Sequence, residues 1–485
     1  IARAPLPPGP RKFPIIKNLL DVPQQEQWMT FARWSGEYNS DIIHVEAAGN
    51  SIVILSSHTA MNDLLHKRSA IYSSRALSGV ICDIVGWKWL MVLTPYNEAF
   101  KEKRRMFAKY CQPSDTSFHR TRETQQLHIL LNLMIDQPEN LLSHLRHMIG
   151  AMVITLAYGI EVEKTDDPYV QLAENVLGYL SQKILPGTFL ADTFSWLRYV
   201  PEGFPGTRWK SVVRQMQREM DDFVNKPFEA SLKAAEVGTL TDCVVSRCQH
   251  DVSQSELSKE EQDIVVKELA GQLYIGGTES MASIISTFFL ALVCFPEVCK
   301  EAQAEVDRVL KGRLSENADM NSLPYLNALL KEVYRWEPVF PLGLAHATTE
   351  DDTYKGYHIP KGSVVIPNIW AVFHDPKLFP EPEKVKPERF LKDGKLHVPG
   401  PDPAELTFGF GRRACQGRYI VESTLLHIAA STLSLFDITK VMGPDGKTIE
   451  PTREYSSGLA RKPLPFKCSI RPRSEEAIKL IRSLS

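Results

Sequence analysis

One cysteine of the chain stands in a glycine-rich loop just before a helical stretch. The loop reads FGFGRRACQG and carries six residues of interest: Phe408, Gly409, Gly411, Arg413, Cys415 and Gly417. Gly409 and Gly411 permit positive φ angles and close backbone approach, so that amide hydrogens can point at the sulfur. The start of the following helix adds its positive dipole end, which favours a thiolate over a thiol. The pattern predicts a cysteine thiolate held on a turn.

The neighbours of Cys415 indicate what such a thiolate would bind. Phe408 can cover the sulfur from water, and Gly417 lets the helix pass close to a large flat group. Arg413 supplies a cation for a carboxylate at the edge of that group. A planar dianionic group whose metal accepts one soft ligand is a haem. The alternative interpretation is a buried structural cysteine in a glycine turn.

Helical periodicity dominates the chain from about residue 58 to residue 337, and these helices must position whatever the thiolate binds. Three helices stand out: a long one over Glu260–Phe295, one over Leu323–Trp336 and a final one over Gln416–Leu435. Pro296 and Pro338 end the first two, because proline cannot continue a helix. Loops are predicted at LPGTF and PEGFPGT.

The β portion of the chain is small. Residues 41–57 alternate apolar and polar around Gly49-Asn50, which predicts a β-hairpin. After Pro341 the chain turns to short strands and many prolines, as in HIPKGSVVIPN and FPEPEKVKPERF, and PFKCSIRP is strand-like. The sequence therefore predicts a mainly α protein with a small β portion (α+β) and an irregular segment before Cys415.

Composition excludes several classes of protein. The 485 residues are 43% hydrophobic and carry a net charge of −2, which argues against a nucleic-acid binder. None of the eight cysteines forms a C-x-x-C pair, so neither a zinc ribbon nor a thioredoxin-type motif is present. The longest apolar stretch, Ser283–Phe295, is shorter than the roughly 20 residues that span a bilayer, and predicts a buried core helix.

The N-terminal sequence IARAPLPPGP is rich in proline and predicts a stiff, non-helical segment. One interpretation is a disordered tail or surface arm. The other is a hinge over residues 1–12 that follows a membrane helix absent from this sequence. No linker divides the rest, so the prediction is a single domain over residues 1–485.

The loop around Cys415 resembles the haem-binding loop of the cytochrome P450 superfamily, the haem-thiolate monooxygenases, and the resemblance extends over nearly the whole chain. It implies the P450 fold, with haem b between the long distal helix and the helix after the cysteine. Cys415 would be the axial thiolate of the iron, with Phe408, Gly409 and Gly417 around it. The activity implied is insertion of one oxygen atom from O₂ into a lipophilic small molecule.

Two further motifs follow the family's order. Glu332 and Arg335 match its E-x-x-R helix, and Arg389 lies in the later sequence PERF. Glutamate and arginine three residues apart share one helix face and can pair. By resemblance these three side chains form a buried network behind the haem loop, with a folding role rather than a catalytic one.

The long helix contains YIGGTESMAS, which resembles the family's stretch over the distal face of the haem. Gly276 and Gly277 would open the helix to oxygen and substrate, and Glu279 matches the acid that relays protons. Ser280 stands where the family usually has threonine; its hydroxyl can bond back to the helix, and Thr278 is a possible substitute. The alternative is a set of small residues that packs two helices.

Haem carboxylates need cations, and by resemblance Arg413 and Arg104 supply them. Phe100 stands where the family usually has a tryptophan and has no N–H to donate. His346 matches a strand position that often binds a propionate, although a lone histidine is more often an ordinary loop residue.

The resemblance also places apolar segments around the substrate. The expected pocket residues are Tyr274, Gly276, Gly277, Val339, Phe340, Leu342 and Leu459. These segments are largely apolar, which favours a lipophilic substrate, although an ordinary core has the same composition.

Because no flavin or iron–sulfur module fits in the chain, electrons would come from a separate NADPH-cytochrome reductase, with cytochrome b5 as a further donor. Arg412, Arg418 and the KEKRR cluster are candidates for its docking face, or form a solvated helix surface. Likeness to fungal microsomal members implies the cytosolic face of the endoplasmic reticulum membrane. The competing functions are a reductase-independent peroxygenase or isomerase of the same fold, and a non-catalytic haem-binding protein or plain helical scaffold.

Overall fold

Helices account for most of the residues that the structure describes. The computed structural model describes residues 4–484 except 24, 48, 77, 113–115 and 184–188. In chain order the α-helices are α1 (Gln27–Glu37), α2 (His58–Met61), α3 (Ser69–Tyr72), α4 (Glu98–Ala108), α5 (Thr116–Asp136), α6 (Leu141–Tyr158), α7 (Pro168–Lys183), α8 (Leu190–Thr193), α9 (Trp209–Glu236), α10 (Val244–Val252), α11 (Lys259–Cys294), α12 (Pro296–Leu310), α13 (Pro324–Trp336), α14 (Ile369–Phe373), α15 (Pro403–Thr407), α16 (Arg418–Leu435) and α17 (Glu475–Arg482). Short 3₁₀ or π segments lie at Asn62–Lys67, Val80–Ile84, Trp87–Trp89, Lys109–Cys111, Pro138–Asn140, Ser195–Tyr199, Asn317–Ser322, Pro387–Phe390 and Gly411–Arg413.

The strands are short. They are β1 (Ile42–Ala47), β2 (Asn50–Leu55), β3 (His346–Ala347), β4 (Asp352–Tyr354), β5 (Tyr357–Ile359), β6 (Val364–Pro367), β7 (Leu391–Lys392), β8 (Lys395–Leu396), β9 (Phe436–Thr439) and β10 (Ser469–Pro472). One sheet has the order β1-β2-β6-β3, in which β2 and β6 are parallel and the other neighbours antiparallel. The pairs β4–β5, β7–β8 and β9–β10 form two-stranded ribbons. The mainly α architecture with a small β portion is confirmed.

The predicted hairpin is present as β1 and β2, with one difference in its turn. The register pairs Ala47 with Asn50, so Asn50 begins the second strand instead of belonging to the turn. Gly49 has a φ of 79°, which a residue without a side chain adopts at little cost. The predicted loop PEGFPGT is non-helical, whereas residues 185–188 of the predicted loop LPGTF lie outside the described residues.

The proline-rich N-terminal segment lies against the sheet over its described part. The carbonyl of Pro8 accepts a hydrogen bond from His44 N at 2.9 Å, and that of Pro5 accepts one from His358 N at 2.8 Å. A Cβ at Gly9 would lie 2.1 Å from the His44 carbonyl oxygen, so only glycine fits there. Residues 4–10 therefore form an extended arm on the protein surface.

Helix α11 runs through the centre of the helical region. Ser258 caps its start in a capping box with Glu261, and Pro296 begins the next helix, so both ends have a local cause. The helix packs against α6, α10, α13 and α16, and almost every side chain after Val266 is buried. The segments Pro138–Tyr158 and Lys259–Cys294 are long and apolar enough to cross a membrane, but 72% and 83% of their most apolar windows are buried inside the protein.

The cysteine loop lies between two helices that hold it from behind. Helix α15 precedes the loop and is capped by Asp402, whose side chain accepts a hydrogen bond from Ala404 N. Helix α16 follows it, beginning at Arg418, two residues after the predicted start. Both helices pack on α13, and α16 also packs on α11. This arrangement places the loop at one wall of a central cavity whose opposite side contains α11.

Candidate active site

The central cavity contains about 2010 Å³ of space not filled by protein atoms, including its opening to solvent. Side chains of α6, the segment 91–92, α11 and residues 339–340 supply most of its apolar wall. It brings together most of the residues that the sequence predicts for the site: Phe100, Arg104, Gly276, Gly277, Glu279, Ser280, Val339, Phe340, His346, Phe408, Gly409, Arg413, Cys415, Gly417 and Leu459.

The cysteine loop folds back on itself through its two glycines. Gly409 has a φ of 84° and Gly411 a φ of 50°. A Cβ at Gly411 would lie 2.6 Å from the Leu65 carbonyl oxygen, so that position needs glycine for space as well as for its dihedral angle. Cys415 N donates to the Phe408 carbonyl at 2.7 Å, which closes the loop beneath the side chain. The Cys415 side chain lines the cavity, whereas the other seven cysteines are buried or half-buried.

The surroundings of the Cys415 sulfur act in two directions. Burial raises the pKa of the thiol, whereas the amides of Gly417 and Arg418 and the charge of Arg104 act to lower it. The amides aimed at the sulfur thus come from the start of α16 and not from the glycines before the cysteine. A metal bound to the sulfur removes its proton outright, so the sulfur fits a metal ligand.

Three half-buried arginines form a cationic cluster at the side of the cavity: Arg75, Arg104 and Arg413. Arg104 Nη2 donates to the Ala414 carbonyl at 2.7 Å, and Arg75 Nη1 donates to two carbonyls at 2.8 Å. The Arg75 Nε has no hydrogen-bond partner among the described residues, and no aspartate or glutamate among them pairs with any of the three. Burial together with the neighbouring Arg75 and Arg104 lowers the pKa of Arg413 to about 8. A cluster of cations that lines a cavity without carboxylate partners fits a dianionic ligand.

Arg413 is held in place on all sides. Its Nε donates to the Ser73 carbonyl at 2.6 Å, and its two Nη atoms donate to the carbonyls of Met91 and Thr94. The guanidinium carbon lies 3.7 Å from the ring centroid of Phe100. Phe100 therefore contributes a stacking face beneath the arginine, which accounts for an aromatic residue without an N–H group at this position.

His346 is buried and turned toward the main chain. Its Nδ1 lies 2.7 Å from the Tyr72 carbonyl oxygen, which can only accept a hydrogen bond, so Nδ1 carries the proton. Burial and the charges of Arg75 and Arg413 lower its pKa well below the usual range. In the neutral ring the remaining nitrogen is an acceptor, so contact with a carboxylate would require a second proton.

The two adjacent glycines of α11, Gly276 and Gly277, have different surroundings. A Cβ at Gly276 would meet nothing within 4 Å, whereas one at Gly277 would lie 3.1 Å from Val153 Cγ2 on α6. Ser280 Oγ donates to the Gly276 carbonyl at 2.9 Å, so the back-bond expected from the sequence is present. Gly276 leaves room beside the cavity, and Gly277 lets two helices pack.

Thr278 is turned away from the central cavity. Its hydroxyl donates to the Tyr274 carbonyl at 2.7 Å, and its side chain lines a separate small crevice. The suggestion that Thr278 replaces the Ser280 hydroxyl is therefore wrong. A helical position two residues before Ser280 projects from a different face, because successive residues are about 100° apart.

Glu279 lies at the cavity wall and pairs with a residue near the C-terminus. Lys462 Nζ is 3.3 Å from Glu279 Oε1, and 18% of the Glu279 side chain is exposed. Burial raises the pKa of Glu279 and the nearby Glu174 adds to this, while Lys462 acts in the opposite direction. The pairing of Glu279 with Lys462 leaves no local pattern in the sequence, since the two residues are 183 positions apart.

Two residues expected in the substrate pocket lie elsewhere. The Tyr274 ring stacks on Phe223 with centroids 4.4 Å apart, and its hydroxyl donates to the Tyr169 carbonyl. Leu342 packs with the cluster around Phe31 beside the sheet. Both predictions are wrong for the same reason, because an apolar sequence does not reveal which face of a helix or loop meets a cavity.

The segment 89–94, which precedes α4, is held against α11 by hydrogen bonds. Gln272 Oε1 accepts a hydrogen bond from Met91 N at 3.1 Å, and Gln272 Nε2 donates to the Trp89 carbonyl at 3.4 Å. A Cβ at Gly271 would lie 2.8 Å from the Trp89 ring, so the indole occupies the space that glycine leaves free. The same segment supplies the Met91 and Thr94 carbonyls that hold Arg413.

The residues matching E-x-x-R and PERF are brought together behind the loop. Arg335 Nε lies 2.7 Å from Glu332 Oε1, and both side chains are fully buried. Arg335 also donates to the carbonyls of Phe373, Pro382 and Lys384. Arg389 Nε lies 3.6 Å from Glu332 Oε1, and the Glu332 carboxylate accepts a hydrogen bond from Lys386 N. The network joins α13 to the segment 373–389.

Comparison with known proteins finds similarity to cytochrome P450 proteins over almost the whole chain. The sequence model of the family described as Cytochrome P450 matches residues 7–470. Cytochrome P450 monooxygenase ple1 of Rhodocybe pseudopiperita is 45% identical over 99% of this chain and 91% of its own length. Cytochrome P450 monooxygenase 98 of Postia placenta is 39% identical over 100% of this chain and 93% of its own length. Tryptamine 4-monooxygenase of Psilocybe cyanescens is 35% identical over 99% of this chain and 96% of its own length. The chain therefore belongs to the cytochrome P450 family and is one of its monooxygenases.

Proposed function

We propose that Cys415 is the axial thiolate ligand of a haem b in the central cavity, and that the whole chain forms one haem domain. The observation that supports this most strongly is the cluster of Arg75, Arg104 and Arg413 in the cavity wall, which lacks a carboxylate partner among the described residues. The two propionates of haem b would neutralise such a cluster. When bound, the haem iron supplies the centre at which O₂ is reduced and one oxygen atom is inserted into the substrate.

The cationic cluster would bind the carboxylates of the haem, and the cysteine loop would bind its iron. Arg104 and Arg413 orient the carboxylates, and Arg75, which the sequence analysis missed, adds a third charge. His346 joins them only as an imidazolium, because its Nδ1 proton is committed to Tyr72. Phe408 shields the sulfur from water, and Gly409 gives the turn its shape.

Glu279 and Ser280 would move protons into the cavity. Glu279 is largely buried and lies at the cavity wall, and burial raises its pKa, which is suitable for a carboxyl group that takes up and releases a proton. Ser280 contributes only when its hydroxyl leaves the Gly276 carbonyl. The presence of this acid–alcohol pair argues against the peroxygenase or isomerase alternative.

The substrate is proposed to be a lipophilic small molecule. The wall above the cysteine is formed by side chains such as Val153, Ile275, Val339, Phe340 and Leu459. Such a wall binds by burial of apolar area, and few polar groups are available there to orient a ligand. A relative is named for action on tryptamine, so aromatic amines belong in a screen beside uncharged lipophilic compounds.

Electrons are proposed to come from a separate NADPH-cytochrome reductase, with cytochrome b5 as a further donor. Lys101 and Arg105 on α4, and Arg412 and Arg418 around the cysteine loop, present basic side chains. An acidic partner would be steered to this face, and the effect would weaken with salt. We expect the rate of reduction by reductase to fall as ionic strength rises, and more steeply for the native protein than for an Arg105→Gln variant.

Membrane association at the endoplasmic reticulum, on its cytosolic face, is also proposed. The segment 194–204 exposes large aromatic side chains, with Trp196 at 61% and Tyr199 at 85%, and the N-terminal part exposes Ile15 and Leu20. Aromatic and aliphatic groups of this kind favour the membrane interface. Flotation with phospholipid vesicles tests the proposal, since Trp196→Ser together with Tyr199→Ser should reduce the bound fraction.

The spectrum of the reduced protein with carbon monoxide tests the proposed haem ligand. We expect the thiolate-type band in the native protein and its loss in Cys415→Ser, with far-ultraviolet circular dichroism as the folding control. Shifts of the Soret band on addition of lipophilic compounds, and NADPH consumption with added reductase, distinguish a monooxygenase from a haem sensor. Retention of the thiolate-type band in Cys415→Ser would refute the assignment.

A further inference from the structure

Glu279 lines two spaces and not one. Besides the central cavity, its side chain contributes to a small crevice between α6, α7, α11 and the segment that contains Lys462. The crevice has a volume of about 40 Å³ for water. Since one water needs roughly 10–15 Å³ of such space, the crevice has room for about three water molecules.

The crevice leads from exposed charges to the buried acid. Arg146 and Glu174 pair at 3.5 Å between Nε and Oε1, and their side chains are 41% and 48% exposed. Lys462 is 45% exposed and pairs with Glu279, which is only 18% exposed. The polar groups along the crevice thus run from solvent to a carboxylate that also faces the central cavity.

Lys462 is aimed at Glu279 by a rigid main chain. Its backbone N donates to Ser456 Oγ at 3.1 Å. The preceding residue, Arg461, pairs with Glu337 at 2.7 Å through a side chain that is 10% exposed, and its carbonyl accepts a hydrogen bond from Ser283 Oγ on α11 at 2.5 Å. These contacts fix the segment on the same helix that carries Glu279.

We propose that the crevice is the route by which protons reach Glu279 from solvent, and that Lys462 is the positioning residue that holds the Glu279 carboxylate between the two spaces. The inference rests on the proposed proton-delivery role of Glu279. A hydronium ion in the crevice gives its proton to the carboxylate and becomes water. The resulting carboxyl group then gives a proton to a water or hydroxyl in the central cavity, while the Lys462 ammonium keeps its charge.

The charges around Glu279 give the sign of the effect. Burial and Glu174 raise the pKa of Glu279, and Lys462 acts to lower it; Arg146 is the remaining charged side chain of the crevice. Removal of the Lys462 charge therefore raises the pKa further and lets the carboxylate leave the junction. An arginine at this position keeps the charge and the pairing.

An infrared titration of the resting protein tests the pairing without turnover. The protonated carboxyl band that disappears in Glu279→Gln is assigned to Glu279. Its titration midpoint should move to higher pH in Lys462→Met and stay near the native value in Lys462→Arg. An unchanged midpoint in Lys462→Met would overturn the proposal, and the carbon-monoxide spectrum of each variant checks that the haem site has formed.

Turnover distinguishes failure of this inference from failure of the proposed function. If Glu279 relays protons, Glu279→Gln should lower product formed per NADPH by about tenfold or more. Lys462→Met should lower it severalfold alone and add nothing in the Glu279→Gln background, because the two act as one unit. An effect of Glu279→Gln without one of Lys462→Met refutes the role of Lys462 alone. No effect of Glu279→Gln refutes the relay itself.

A filled crevice provides an independent test of the route. Ala282 lies one turn after Glu279 and lines the crevice but not the central cavity. Ala282→Leu should increase the solvent isotope effect on product formation, because its side chain displaces water from the crevice. The control Ala282→Ser, whose side chain is close in size to alanine, should not. Equal isotope effects in both variants would contradict the route.

Discussion

Ser280 differs by one methyl group from the threonine usual in the family, and its hydroxyl is already committed. Its Oγ donates to the Gly276 carbonyl at 2.9 Å, as serine in a helix commonly does. A threonine methyl would restrict χ1, whereas serine changes rotamer freely. The hydroxyl can therefore turn toward the cavity, but nothing in its own side chain keeps it there.

Substitution of Ser280 should change coupling more than binding. We expect Ser280→Ala to lower product per NADPH severalfold and to increase hydrogen peroxide, because one hydroxyl of the relay is lost. Ser280→Thr should raise the ratio above the native value, since the methyl narrows the rotamer choice. Product, NADPH and peroxide are measured together, and equal ratios in all three proteins would contradict the role.

Single residues were predictable where a motif fixes chemistry and spacing together. Cys415, Arg413 and Glu279 line the cavity as the sequence predicts, because their neighbours in the chain are also their structural context. Arg75 was missed, since a lone arginine in an ordinary segment has no pattern. Tyr274 was misplaced, because helical periodicity does not tell a cavity from a packed interface.

At the scale of elements, Gly276 and Gly277 of α11 can be compared, since the first faces open space and the second contacts another helix. Gly276→Ala should stabilise the helix by up to about 1 kcal/mol, because a Cβ there meets nothing within 4 Å. Gly277→Ala should gain less or lose stability, since its Cβ would press on Val153 at 3.1 Å. Thermal unfolding ranks the two, and a more stable Gly277→Ala would contradict this packing.

The ion pair of α13 joins elements that are far apart in sequence. Glu332 and Arg335 are fully buried, and Arg335 also holds three carbonyls of the segment 373–384. Loss of one partner leaves an unpaired buried charge, so Arg335→Met should lower the free energy of unfolding by about 3–5 kcal/mol. Urea unfolding measures this difference.

The exposed pair Lys67–Asp63 provides the matched control. Its lysine is 65% exposed, and its charges have almost the same spacing along the chain. Lys67→Met should change the free energy of unfolding by only about 0.5 kcal/mol, because exposed pairs contribute little. Equal losses in the two variants would show that the buried network has no special role in folding.

The elements themselves followed closely from sequence. The bounds of α11 and α13 agree with the prediction to within one residue, because capping residues and prolines mark their ends. The order β1-β2-β6-β3 was not predictable, since strand pairing over some 300 residues leaves no local pattern. The crossing of α11 over α6 likewise depends on small residues whose partners the sequence does not reveal.

At the scale of the whole molecule, several buried histidines make stability depend on pH. Burial lowers the pKa of His44 and His374 to about 4 and that of His427 to about 3. Below about 6.5 the unfolded chain binds protons that the folded protein excludes, so stability falls as pH falls. Each such histidine contributes a slope of about 1.4 kcal/mol per pH unit.

Replacement of one such histidine should reduce the slope by about 1.4 kcal/mol per pH unit, because the unfolded chain then binds one proton fewer. His427 is buried and its Nδ1 contacts Ser315 Oγ at 2.6 Å, so His427→Gln keeps a polar group there. Urea unfolding between pH 6.5 and 4 should show a shallower fall in stability for this variant. His66→Gln, the same exchange at an exposed position, is the control for the substitution itself. An identical slope for His427→Gln would refute the assignment.

Gly271 carries a consequence for how this enzyme can diversify. The Trp89 indole fills the space beside Gly271. In the same segment, the Met91 side chain forms part of the cavity wall and the Met91 carbonyl accepts a hydrogen bond from Arg413. Any larger residue at 271 would displace both at once. Changes in substrate range along this segment are therefore expected to arise by exchange of side chains on an unaltered backbone path, because a shifted path would also release Arg413 from the Met91 carbonyl.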